Sequence, residues 1–195
     1  PKVVERLLEG GMDPETPAAM VERGTTSRQK VVRTSLAKLP DGVREAGMRP
    51  PALFVIGPSV RHADTLDWFG SRPLFGERIV VIAPARVVAD ELEINGAEVL
   101  EVPLPISPAA RVALEVLPLT GCVLGSEDEV DALDEERDGK SWGSDVVAWC
   151  LSEKAGERAR QLGWKRVRNL EFAGAETGLV EQILKVKGRS PGVEG

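Results

Sequence analysis

The chain has 195 residues, of which 42% are hydrophobic and 29% charged, with a formal net charge of −6. That balance excludes a disordered chain and argues against a nucleic-acid partner, while leaving enough apolar material for one ordinary domain or two small ones. No apolar run approaches the ~20 residues needed to span a bilayer, so no membrane partner is expected. In chain order, Val3, Val4, Leu7 and Leu8 are spaced for one face of a helix that ends at Gly10-Gly11. "PAAMVE" (17–22) reads as a short strand. The stretch that follows has two readings. Thr26 with Gln29 fits a capping box that would start a helix. Against it, Val31, Val32 and Thr34 are β-branched, and Gly-Thr-Thr-Ser between two such runs favours a hairpin. "DGVREAG" (41–47) predicts a short helix and "PALFVIG" (51–57) a buried strand.

"DWFGSRPLFG" (67–76) interrupts this pattern with glycine, proline and aromatics of exposed character, which predicts a domain boundary. A regular alternation follows. Strands are expected at 78–83, 97–102, 121–125, 145–150 and 165–170, and helices at 85–94, from Pro108, at 127–133, at 153–162 and at 178–184, the last with Thr177 as N-cap. Short apolar strands alternating with helices define an α/β fold with a parallel sheet covered on both faces. The glycine- and proline-rich end is expected to be a flexible tail.

Charge is uneven: residues 1–75 hold 11 Lys/Arg against 9 Asp/Glu, and the remainder carries −8. Much of the excess lies in "SEDEVDALDEERD" (126–138), which reads as a solvated helix face. Cys122 and Cys150 sit apart in apolar surroundings without Cys-x-x-Cys spacing, which predicts buried, reduced thiols. With one histidine, His62, beside Arg61 and Asp64, no metal site is expected. The chain opens on Pro1-Lys2-Val3-Val4 within a helical pattern and without a signal peptide, which suggests part of a longer cytoplasmic protein.

Glycine-rich nucleotide loops and nucleophile elbows are absent from the sequence. Two local features remain. In the turn Gly24-Thr25-Thr26, a glycine allows close backbone approach and hydroxyls can donate to a carboxylate or an adenine edge. The carboxyl ends of the strands after residue 77 bring Ala83-Pro84, Gly125-Ser126 and Leu151-Ser152 to the edge where open parallel sheets bind ligands, often anions on helix N-termini. Serines there also serve simply as caps.

Several spaced motifs add a resemblance: Thr16-Pro17-Ala18-Ala19, Glu22-Arg23-Gly24-Thr25, Gln29-Lys30-Val31-Val32, Pro51-Ala52-Leu53, Ile56-Gly57 and Trp68-Phe69. In this order, residues 1–69 resemble the C-terminal end of uroporphyrinogen-III C-methyltransferase, of the tetrapyrrole methylase family. The resemblance favours the hairpin. It implies S-adenosylmethionine as cofactor, with Pro17, Ala18, Gly24 and Thr25 forming one wall of its cleft, and a homodimer through this part. After a linker at 70–76, residues 77–187 resemble uroporphyrinogen-III synthase, of flavodoxin-like fold, followed by a tail at 188–195. Departures from that family's pattern are Ala83-Pro84 in place of Thr-Arg, Gly125 in place of Thr, Ser152 and Ala155 in place of Gly and Thr, and no tyrosine anywhere.

Together the resemblances imply a bifunctional, metal-free enzyme of tetrapyrrole biosynthesis. It would cyclise hydroxymethylbilane to uroporphyrinogen III and methylate that product to precorrin-2. A polycarboxylate tetrapyrrole would then meet Ser126 and Ser152 at the strand ends and a basic rim of Arg86, Lys154 and Arg158. The alternative is a non-catalytic tetrapyrrole-binding or assembly module.

Overall fold

A computed structural model describes residues 2–83, 86–137, 145–170 and 178–186. The chain divides into two compact units, Pro1–Ser71 and Arg72–Gly195. In the first, helix α1 (Lys2–Glu9) turns Val4, Leu7 and Leu8 toward the core, and Gly11 at φ +85° lets the chain reverse after it. Strand β1 (Pro17–Glu22) lies at the centre of an antiparallel sheet, between β2 (Lys30–Ser35) and β3 (Ala52–Ile56). The register sets Met20 opposite both Val32 and Phe54, so one sheet face is apolar across all three strands. That face packs on α1 and on helix α2 (Leu39–Glu45), with Val4, Ala18, Leu36 and Leu39 buried between them. A 3-10 turn (Pro58–His62) and a short helix α3 (Ala63–Leu66) follow.

The hairpin therefore forms in preference to the helix. Gln29 still makes a cap-like contact, accepting from the Thr25 N–H at 2.8 Å, but Val31 and Val32 pair with β1 and the chain stays extended. β3 corrects an expectation. It was read as buried from its apolar run, yet it pairs only with β1 and leaves Leu53 64% exposed. The turn and short helix after β3 cover part of that face beside Val21 and Val31 but leave Leu53 open.

The second unit is α/β with a five-stranded parallel sheet. Its strands are β4 (Arg78–Ala83), β5 (Glu98–Pro103), β6 (Gly121–Leu124), β7 (Val147–Cys150) and β8 (Val167–Asn169), in the order β5-β4-β6-β7-β8. Alternate residues face opposite layers. Val80, Ile82, Cys122, Leu124, Ala148 and Cys150 pack against helices α5 (Pro108–Val116), α6 (Glu127–Arg137) and α7 (Glu153–Gln161). Ile79, Val81, Val123, Val147 and Trp149 pack against α4 (Arg86–Ile94) and α8 (Leu179–Val186). This order makes the gap between the carboxyl ends of β4 and β6 the topological switch point.

Side chains lock the layers. Arg78, 4% exposed, holds Glu98 on the neighbouring strand through Nε and Nη2 at 2.7–2.9 Å. Asp134 of α6 accepts from Trp164 Nε1 at 2.7 Å and from Arg137, whose guanidinium also lies 4.9 Å from the Trp164 ring. Glu91 of α4 accepts from Val180 N at 3.1 Å, so α4 caps the start of α8 across 89 residues of sequence. The expected Thr177 cap, Pro84 and the tail at 188–195 lie outside the described residues.

The acidic run is less solvated than expected, because Asp131, Asp134, Glu136 and Glu129 are all engaged by partners. Both cysteines are free and buried, as predicted. Among the described residues no helix is long and apolar enough to cross a membrane.

Candidate functional site

The β1–β2 turn is built on two left-handed residues, Arg23 (φ 50°) and Thr25 (φ 62°), which bracket Gly24. Its base is tied down by Arg23 N–H donating to Pro51 O at 3.2 Å and by the buried Glu22, which accepts from Arg49 N at 3.1 Å. Within the turn the hydroxyls are already committed. Thr25 Oγ1 donates to Gly24 O at 2.7 Å and Thr26 Oγ1 to Arg23 O at 2.9 Å. The expectation that these hydroxyls donate to a ligand is therefore corrected: each has spent its single proton inside the loop. What stays available is the Gly24 N–H, on an exposed residue and with no acceptor among the described residues. Gly24 is not in the left-handed region itself. A Cβ there would make ordinary contacts of 3.4 Å to Val21 and 3.7 Å to Gln29.

The four residues expected at the cofactor wall fall into two groups. Gly24 and Thr25 are exposed beyond the end of β1, whereas Pro17 and Ala18 open the strand. At a rise of roughly 3.3 Å per residue the strand separates the groups by close to 20 Å. Ala18 is fully buried in the core, so its side chain is closed to a ligand. Pro17 pairs across from Ser35, whose hydroxyl is buried without a hydrogen-bond partner among the described residues.

Beside the turn lies a cleft of about 280 Å³ that sequence reading did not assemble. Thr25, Gln29 and Val31 form one wall, and Leu66, Trp68 and Phe69 another. Trp68 is 62% exposed and meets Phe69 edge to face, with centroids 5.7 Å apart. An ion pair from Arg33 to Asp64 ties β2 to α3 at the margin. The available signal was the period-two spacing of Val31 and Arg33 together with the exposed character of Trp68 and Phe69.

In the second unit the strand outlets close on themselves. Ser126 Oγ accepts from Glu129 N at 3.3 Å while Glu129 reaches back to Gly125 N at 2.6 Å, a reciprocal cap. Ser152 Oγ accepts from Ala155 N and donates to Gly125 O at 2.9 Å, joining the ends of β6 and β7. Both serines thus serve as caps. The first turns also carry Glu127, Asp128, Glu129 and Glu153, whose charge opposes an incoming anion.

The expected basic rim is largely neutralised. Exposed Arg86 is held by Glu101, Asp90 and Glu93, and Arg158 by Asp131 at 2.6 Å. These carboxylates, Glu101 first for Arg86 and Asp131 first for Arg158, push each guanidinium pKa further up. Lys154 is exposed and has no ion-pair partner among the described residues. The desolvation of burial pushes the Cys150 thiol up to about 11 and the Cys122 thiol well above its ordinary value.

No protein-family model matches the chain. It is similar to the siroheme synthase of Tolumonas auensis, 44% identical over 81 residues, which are 42% of this chain and 17% of that protein. The siroheme synthase of Ruthia magnifica is 44% identical over 68 residues, 35% of this chain and 14% of that protein. That of Thioalkalivibrio sulfidiphilus is 32% identical over 98 residues, half of this chain and 20% of that protein. The chain thus spans no more than a fifth of the length of these curated relatives. Among solved structures, a response regulator from Thermotoga maritima aligns with 57% of this chain and 94% of its own, at 12% identity and a TM-score of 0.39. That likeness is too slight to bear on fold or function.

Proposed function

We propose that this chain is part of an enzyme of tetrapyrrole biosynthesis that makes sirohaem precursors. In this reading the first unit belongs to an S-adenosylmethionine-dependent uroporphyrinogen-III C-methyltransferase, and the second derives from uroporphyrinogen-III synthase. The observation that carries the tetrapyrrole part of it is the 44% identity to a siroheme synthase over 81 residues, and the synthase assignment rests on the resemblance of the second half alone. The exposed Gly24 N–H, with no acceptor among the described residues, supports it as a donor for a cofactor carboxylate or ring nitrogen. Thr25 sits beside that donor, whereas Pro17 lies at the far end of β1 and Ala18 contributes only packing. When bound, S-adenosylmethionine supplies the methyl group, and the task of these residues is to hold and orient it.

The test is reconstitution. The chain is mixed with Tolumonas auensis siroheme synthase shortened by the stretch it matches, and S-adenosylmethionine binding and precorrin-2 formation are followed. Restored binding that Gly24→Leu abolishes is expected; a reconstituted pair that binds nothing refutes the methyltransferase reading.

A second reading, a non-catalytic tetrapyrrole-binding or assembly module, is favoured by one observation. The β6 and β7 ends are occupied by Glu129 and Ser152 of the chain itself. Incubation with hydroxymethylbilane separates the two readings, because formation of the type III isomer removes the module and tetrapyrrole binding without turnover supports it.

A further inference from the structure

The first unit holds a second concavity, on the opposite side of its sheet from the exposed Leu53. It has a volume of about 440 Å³, within the range of about 300–1,000 Å³ that small-molecule sites occupy. Met20 of the central strand lines it, along with Val4 of α1 and Leu39, Val43 and Met48 of α2 and its C-terminal turn. Two methionines give this lining the adaptability of unbranched thioethers. The charged groups on its wall are both cationic, Arg44 and Arg49.

The two arginines are differently placed. Arg44 pairs with Asp41 at 2.7 Å in an exposed i,i+3 contact of the kind that exchanges readily for another anion. The exposed Arg49 guanidinium has no carboxylate within ion-pair distance among the described residues. Its backbone is nonetheless fixed, because Arg49 N donates to Glu22 Oε2 at 3.1 Å. The Glu22 carboxylate is 8% exposed and is also approached by Arg23 at 3.7 Å, so its charge is met locally. A guanidinium with no carboxylate partner among the described residues, on a backbone fixed at the rim of an apolar hollow, is a fork for a planar carboxylate whose body is hydrophobic.

We infer that this pocket binds a small amphipathic carboxylate, with its apolar body against Met20, Val43 and Met48 and its carboxylate on Arg49. The site is distinct from the Gly24 turn and does not depend on the reading above. Aryl carboxylates and fatty acids share this chemistry.

The probe is 1-anilinonaphthalene-8-sulfonate, titrated into the purified chain and read by fluorescence, with 2-naphthoate and laurate as competitors. One saturable site is expected, weakened about tenfold by Arg49→Gln and abolished by the pocket-filling Val43→Phe. Neutral N-phenyl-1-naphthylamine should bind Arg49→Gln as well as it binds the parent chain. Displacement by 2-naphthoate alone assigns an aryl acid, and displacement by laurate alone an aliphatic one. Far-UV circular dichroism confirms that each variant is folded, and Arg44→Gln serves as a second charge variant should Val43→Phe unfold. The inference is overturned by the absence of a saturable site, by displacement with neither competitor, or by an Arg49→Gln effect that is equal for the neutral probe.

Discussion

Replacing Gly156 by alanine should reverse the usual helix preference. Gly156 lies inside α7, where alanine is ordinarily favoured by about 0.8–1.0 kcal/mol. Here a Cβ would lie 2.1 Å from Asn169 Oδ1 and 2.7 Å from its Cγ and Nδ2. Asn169 would have to retreat by more than an ångström. It would then lose the Arg160 bond at 2.8 Å and its long contact of 3.5 Å to Ser152 O, at the start of α7. Overpacking of this kind costs about 1–3 kcal/mol, and the exposed Arg160 bond adds about 0.5–1 kcal/mol. Gly156→Ala is therefore expected to destabilise the chain by roughly 0.5–3 kcal/mol once the propensity gain is subtracted. In an Asn169→Ala background the obstacle is gone, and the same substitution should stabilise by up to about 1 kcal/mol. Urea denaturation of the four chains, followed by circular dichroism, gives the double-mutant cycle. A Gly156→Ala chain at least as stable as the parent, or a coupling under about 0.5 kcal/mol, refutes the close approach of α7 to β8.

Other expectations concern the layer locks, the thiols and the turn. Glu98→Ala leaves the nearly buried Arg78 without its bidentate partner and should cost about 1–3 kcal/mol in denaturation experiments. That is less than for a fully buried pair, because the Glu98 side chain is 35% exposed; Arg78→Met with Glu98→Leu should recover most of the loss. Asp134→Ala strands the Trp164 N–H and leaves Arg137 with only Leu162 O and the Trp164 ring, for about 1–3 kcal/mol and a shifted tryptophan emission. Cys150, with a pKa raised to about 11, stays protonated in the folded chain while the unfolded chain loses its proton near 9, so the native state binds more protons in between. Stability should therefore be unaffected by this thiol below pH 9 and decline from there to about 11. Neither cysteine should react with a thiol reagent at pH 8 until the chain unfolds, and rapid labelling of the native chain would contradict their burial. Gly24→Ala should change stability by less than about 0.5 kcal/mol, since the added Cβ meets only ordinary contacts.

Local sequence settled the elements whose cause is local. Gly10-Gly11 ends α1, Pro108 opens α5, Ser152 caps α7, and alternation of apolar strands with helices gives a parallel sheet covered on both faces. The hairpin was legible because β-branched Val31 and Val32 outweigh a Thr26/Gln29 capping pattern. The buried state of Cys122 and Cys150 followed from their apolar neighbours. The exposure of β3 did not, since an apolar run has the same composition whether a second layer covers it or not.

What only the tertiary structure decided is which polar groups remain available. Arg86 looks free in sequence, yet it is surrounded by Asp90, Glu93 and Glu101, the last brought in from a neighbouring strand. Ser152 looks like an anion donor until the end of β6 places Gly125 O against it. Pro17 and Gly24 belong to adjacent motifs only seven positions apart, but an extended strand carries them to opposite ends of a sheet. Sequence fixes residue type and local period; the competition among donors and acceptors is resolved by distances that arise only when distant segments pack, and here that competition leaves Gly24 N–H and Arg49 available while engaging Arg86, Arg158, Ser126 and Ser152.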